Sequence, residues 1–115
     1  MSARNFEIDS TRSRFGSVTV FREQKIMHQK ITVRLYETDI VVVNRSTIRL
    51  NSGNWRTVST KQAMNHALRQ VCEEFKAPFI RQHKGEWYVD YPNGKSVPFR
   101  DGMIVQRWFK AVSRE

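Results

Sequence analysis

The sequence predicts an α+β fold, an antiparallel β-sheet of about five to seven strands packed against one main amphipathic helix. Three observations predict it. Short segments alternate apolar and polar residues between turn signals, as in Ile31 to Tyr36 and Glu86 to Tyr91. One stretch, after Ser59, repeats its apolar residues at helical spacing. Between them lies the β-branched run Asp39-Ile40-Val41-Val42-Val43-Asn44, which suits the middle of a sheet.

In chain order, residues 1 to 16 are polar, basic and without period, and they read as a flexible basic arm; residues 17 to 115 read as a single α+β domain. Ser17 to Glu23 alternates as a strand, with Val18 and Val20 opposite Thr19 and Phe21. Gln24 to Lys30 has the composition of a connection. In Ile31 to Tyr36, Ile31, Val33 and Leu35 share one face and Thr32, Arg34 and Tyr36 the other. Asn44-Arg45-Ser46 then joins the β-branched run to Thr47–Asn51 in an antiparallel hairpin, with Ile48 and Leu50 inward.

Asn51 to Phe75 is the pivot between sheet and helix. Gly53 allows a positive-φ turn, Trp55 suits the corner, and Ser59 with Gln62 three residues on reads as a capping box. Ala63, Met64, Ala67, Leu68, Val71, Cys72 and Phe75 form the buried face of the helix. Lys61, Asn65, His66, Arg69, Gln70 and Glu73 form the polar one. Pro78 ends the helical pattern. Phe79 to His83 and Glu86 to Tyr91 follow as strands, Pro92-Asn93-Gly94 turns, Lys95 to Phe99 returns, and Arg100-Asp101-Gly102 turns again. Met103 to Phe109 reads as strand or short helix.

Composition narrows the chemistry. The 115 residues carry 20 Lys and Arg against 11 Asp and Glu, a net charge of +9, which draws polyanions and is silent on fold. The excess is spread along the chain, with more at its two ends. Cys72 is the only cysteine, so no disulfide forms within the chain, and its place on the apolar helix face reads as a small buried hydrophobe. No h-region opens the chain and no apolar run reaches the roughly 20 residues of a membrane helix, so a cytosolic protein without membrane contact is expected. His28, His66 and His83 share no metal-ligand spacing. No nucleophile elbow, phosphate loop or dinucleotide fingerprint occurs. Neither enzymatic activity nor a cofactor is expected.

Leu50 to Lys61, with Asn65 and Leu68 on the helix, Gly85-Glu86-Trp87-Tyr88-Val89 and Pro98-Phe99-Arg100-Asp101-Gly102-Met103, resembles a group of small uncharacterised proteins encoded by tailed bacteriophages. The resemblance covers about residues 31 to 105. It implies a protein made in the cytosol of an infected bacterium, and it carries no functional residues over.

Binding residues therefore come from the strand pattern. Alternation sends Arg34, Tyr36 and Arg49, with Arg81, to a face away from the core, where cations can follow a nucleic-acid backbone while rings stack on bases. An ordinary solvated sheet face has the same composition. Arg56 and Lys61, at the helix start, form a second edge that suits phosphate. The leading expectation is a small basic protein binding DNA or RNA, single strands favoured, through Arg34, Tyr36, Arg49, Arg56, Lys61 and Arg81. The alternatives are an effector that docks on a host enzyme or defence protein, and a protein that sequesters a nucleotide or other phosphate ligand.

Overall fold

Alternation takes most of the chain into strands. The computed structural model describes residues 9–24, 29–72 and 76–106, with side chains from residue 16 on. The elements run β1 (Asp9–Phe15), β2 (Val18–Gln24), β3 (Gln29–Leu35), β4 (Thr38–Val43), β5 (Thr47–Leu50), α1 (Val58–Val71), β6 (Phe79–His83), β7 (Glu86–Asp90), β8 (Ser96–Pro98) and β9 (Met103–Gln106). The fold is α+β. Among the described residues it holds two antiparallel sheets, one of six strands in the order β1-β2-β3-β4-β5-β9 and one of three in the order β6-β7-β8. The six-stranded sheet has the expected size. The second sheet was not foreseen, because its strands carry the same alternation and only the long-range pairing of β9 with β5 separates them.

The stretch read as an arm contains β1, which pairs with β2 along its whole length, from Asp9 opposite Gln24 to Phe15 opposite Val18. A polar edge strand takes its order from its neighbour's backbone groups and shows little pattern of its own. Residues 1–8 lie outside the described set, as do Trp108 and Phe109. What is described of the final segment, Met103–Gln106, is a strand.

One face of the large sheet is the core. Ile31, Val33 and Leu35 of β3 are buried beside Val41 and Val43 of β4, Ile48 and Leu50 of β5 and Val105 of β9. The register shifts between Val33 and Arg34, so that Val33 faces Val41 while Arg34 faces Asp39. Ile40 is the extra residue of this bulge, which is why Ile40 and Val41 are buried in succession. Met64, Ala67 and Leu68 of α1 close this core, joined by Ile80, Trp87 and Val89 from the small sheet and by Phe99, which directly follows β8.

The start of α1 differs from the Ser59–Gln62 capping box. Thr57, extended at φ −106° and ψ 167°, is the N-cap, and its hydroxyl accepts from the Thr60 amide at 3.2 Å. Thr57 has the same hydroxyl chemistry as Ser59 and already lies in cap geometry, so Ser59 falls inside the first turn. The helix ends at Val71, where Cys72 turns extended while its amide still donates to the Leu68 carbonyl at 3.1 Å. Residues 73–75 lie outside the described set, Phe75 included. The apolar face is otherwise as the spacing indicates, except for Asn65, which the spacing puts on the polar side and which is buried.

Asn65 does for β6 what a neighbouring strand would do. Its side-chain amide donates to the Ile80 carbonyl at 3.0 Å, and its carbonyl oxygen accepts from the Ile80 amide at 2.7 Å. The edge of the small sheet is thereby satisfied inside the core.

The corner before α1 is held from the other direction. The Ser52 amide and hydroxyl both donate to Asp101 Oδ1 at 2.7 Å, and the Gly102 amide donates to the Leu50 carbonyl at 2.7 Å. Gly53 takes φ +62° and lies so close to Thr38 that a Cβ there would meet Thr38 Oγ1 at 2.6 Å and Cγ2 at 2.7 Å. Among the described residues, no helix is long and apolar enough to cross a membrane.

Replacing Asn65 with Ala leaves the Ile80 amide and carbonyl buried without partners, at a cost on the order of 2–4 kcal/mol. Urea unfolding should show this as a lower midpoint at constant m-value. Gly53→Ala combines a disfavoured φ with a collision and should cost on the order of 1–3 kcal/mol. In the same assay, Thr38→Ala in the Gly53→Ala background should restore the collision part and leave the φ part.

Candidate nucleic-acid interface

The residues expected to bind fall on four separate parts of the surface. Arg34 and Arg49 share the face of the large sheet that points away from the core, on strands separated by β4. Arg34 is engaged there: its Nε donates to Asp39 Oδ1 at 2.6 Å, and its guanidinium lies 4.8 Å from the centre of the Phe21 ring. Arg49 is exposed and has no ion-pair or hydrogen-bond partner among the described residues. It stands in the cross-strand row Phe21, Thr32, Val42, Arg49, Ile104.

Tyr36 is not on that face. The strand stops at Leu35, and Tyr36 is the first residue of the two-residue turn to β4, with φ 55° and its amide bonded to the Ser17 carbonyl at 3.0 Å. The alternation that carries Arg34 ends one residue too early to carry Tyr36.

Arg56 belongs to an aromatic corner. Its guanidinium lies 5.0 Å from the Phe99 ring centre and 5.8 Å from that of Trp87, and the two rings meet edge to face at 5.3 Å. Asp101 approaches it at 4.0 Å while holding Ser52 with its other oxygen. Trp55, expected to fill this corner, is 66% exposed instead, because Trp87 and Phe99 already occupy it.

Arg81 repeats the same arrangement on β6. Its Nε donates to Asp90 Oδ2 at 2.7 Å, an Nη donates to the Ser96 hydroxyl at 3.0 Å, and the guanidinium lies 4.9 Å from the Tyr88 ring centre. Ser96 in turn donates to the other Asp90 oxygen at 2.7 Å. Arg34, Arg56 and Arg81 thus each hold an acid and a ring, and their charge is largely answered inside the protein.

Lys61 lines, together with Arg81, a groove of about 540 Å³ between α1 and β6. The helix contributes Lys61, Gln62, Asn65, His66 and Arg69, and β6 contributes Phe79 to Gln82. Lys61 Nζ spans it to Gln82 Oε1 at 3.0 Å, while His66 and Arg69 are exposed without partners among the described residues. Phe79 is 48% exposed at the margin. No described residue lining the groove is acidic, and its formal charges, on Lys61, Arg69 and Arg81, are all positive. The groove exists because Asn65 holds β6 at hydrogen-bonding distance from the helix, leaving the residues one turn to either side, Lys61 and Arg69, to line the seam.

His66, Arg69 and Phe79 were not among the residues expected to bind. The sequence did carry a trace of them, since Lys61, Asn65 and Arg69 recur at four-residue spacing on the polar stripe. What it lacked was the identity of the strand facing that stripe.

No curated protein and no solved structure matches the chain. One family model does, across residues 4–106, and its description is Kyanoviridae Gp96 protein.

Asp90 links the charge network to pH. The Arg81 N–H bond, and after it the Ser96 hydroxyl, hold its carboxyl below the ordinary value, against the opposing effect of burial. A depressed folded-state pKa stabilises above the unfolded value of about 3.9 and is lost as pH falls through the folded value. Asp90→Asn should therefore flatten the acid limb of a plot of melting temperature against pH, with the difference from the parent protein shrinking as the pH drops below about 4.

Proposed function

The chain belongs to the Kyanoviridae Gp96 family of phage proteins, and we propose that it binds single-stranded nucleic acid inside the infected bacterium, along the groove between α1 and β6. The observation that carries this reading is the lining of the groove: Lys61, His66 and Arg69 beside a half-exposed Phe79, with no described acid among them. A single strand presents a regular file of phosphates and unpaired bases. A groove with cations along its length and a ring at its margin meets both, the cations by Coulomb attraction and counterion release, the ring by stacking. The net charge of +9 draws such a ligand to the molecule before any contact is made.

Arg49 extends the reading to the open sheet face, as an exposed cation in the same row as Phe21. Arg34, Arg56 and Arg81 take a smaller part in it. Recruiting any of them means breaking a contact with Asp39, Asp101 or Asp90. They shape the surface and orient its rings, while Lys61, Arg69 and Arg49 meet phosphate.

Fluorescence anisotropy with labelled single-stranded DNA, single-stranded RNA and duplex DNA tests this. Binding of single strands should weaken steeply between about 50 mM and about 200 mM salt, and should exceed binding of the duplex. Lys61→Glu combined with Arg69→Glu should lower affinity at least about tenfold and reduce the salt slope, without a comparable change in melting temperature. Absence of binding to any of these ligands at the lower salt concentration sinks the proposal.

A further inference from the structure

A second groove lies on the other side of the helix start and has a different character. It encloses about 700 Å³ between the β3–β4 turn and the residues that lead into α1, and Leu35 and Ile40 are among the residues lining it. Two of its lining residues are the most exposed large hydrophobic side chains described: Tyr36 at 74% and Trp55 at 66%. Glu37 and several hydroxyl residues, among them Thr57, Ser59 and the buried Thr60, also line it.

Tyr36 is held there against its own backbone preference. A φ of 55° is favourable for glycine and costly for an aromatic side chain. The equivalent position of the β1–β2 turn, first of its two residues, is Gly16 at φ 62°. A folding requirement alone is met by glycine at such a position. Tyrosine adds a ring beside an open groove, at a cost in stability.

We propose that this groove is a base-binding pocket, in which Tyr36 and Trp55 receive an unpaired base of the same single strand whose phosphates lie in the α1–β6 groove; the inference rests on that reading of the function. Two observations select a base. The only described formal charge on the rim is the Glu37 carboxylate, which repels phosphate and accepts hydrogen bonds from base N–H groups such as the cytosine amine. The two grooves also adjoin along the chain, since Thr60 lines this one and Lys61 lines the basic one. A strand crossing the first turn of α1 therefore passes from a cationic seam to an aromatic pocket, backbone in one and base in the other.

The discriminating experiment compares a labelled oligodeoxycytidine with an abasic strand of equal length, by anisotropy, on the parent protein and on Tyr36→Gly, Trp55→Ala and Phe79→Ala. Intact strand should bind at least about tenfold more tightly than abasic strand to the parent protein. That difference should collapse in Tyr36→Gly and Trp55→Ala and persist in part in Phe79→Ala. Tyr36→Gly should fold with an undiminished melting temperature, because glycine suits the turn, so its loss of base preference reports the ring alone. If the parent protein binds intact and abasic strands equally well, the pocket is overturned while the phosphate-binding groove stands; an aromatic groove reserved for a protein partner gives this result. A preference that survives in Tyr36→Gly and Trp55→Ala also overturns it. If neither strand binds, the function proposed above fails first.

Discussion

The two-way hydrogen bond between the Asn65 amide and the Ile80 backbone is the constraint on which the architecture depends. A small three-stranded sheet has a free edge, and that edge is here turned into the protein interior, where an unpaired amide and carbonyl are costly. A side-chain amide is the one neutral group that both donates and accepts in the geometry of a peptide. Asparagine supplies it from a helix, with a stem short enough to keep α1 close to β6. The distance between helix and sheet, and with it the shape of the basic groove, follows from that choice. An apolar residue at position 65 would fill the space and leave the strand unsatisfied.

A second regularity joins charge to aromatic surface. Arg34 with Asp39 and Phe21, Arg56 with Asp101 and the Trp87–Phe99 pair, and Arg81 with Asp90 and Tyr88 are three versions of one unit. In each, a planar guanidinium covers a ring face and an acid fixes its orientation. Each unit lies at a sheet surface or corner, where a ring would otherwise be open to water. Part of the formal basicity is therefore committed to the protein's own surface, while Arg49 and Arg69 are among the described cations that no acid engages.

The sequence revealed the elements more fully than their arrangement. Alternation gave Ile31, Val33, Leu35, Ile48 and Leu50 as inward residues, and helical spacing gave Met64, Ala67 and Leu68, all of which are buried. These patterns are local, and burial follows them directly. It could not show that β9 closes the large sheet while β6, β7 and β8 form another, since pairing partners carry no local mark. The same limit governs the surface. Arg34 and Arg49 do face away from the core, but the acids and rings that engage Arg34, Arg56 and Arg81 arrive from other strands. Tyr36 left its expected face because a turn began one residue earlier than the alternation implied, and Asn65 left its own because a polar residue on a polar stripe gives no sign of a buried backbone partner.

The closing of the large sheet by β9 also sets the order in which the molecule can be assembled. Leu50 of β5 pairs with Met103 of β9, so the helix and the entire small sheet lie in sequence between two adjacent strands. During synthesis β5 emerges with one side unpaired and stays so until everything between has been made. Ser52 meets its acceptor Asp101 only then, which leaves the entry to α1 without its anchor for the same interval. Closing a loop of that length costs entropy before any contact returns it, so this pairing belongs among the slow, late steps of folding. The exposed edge of β5 is the place where a chaperone or a second nascent chain competes with the native strand.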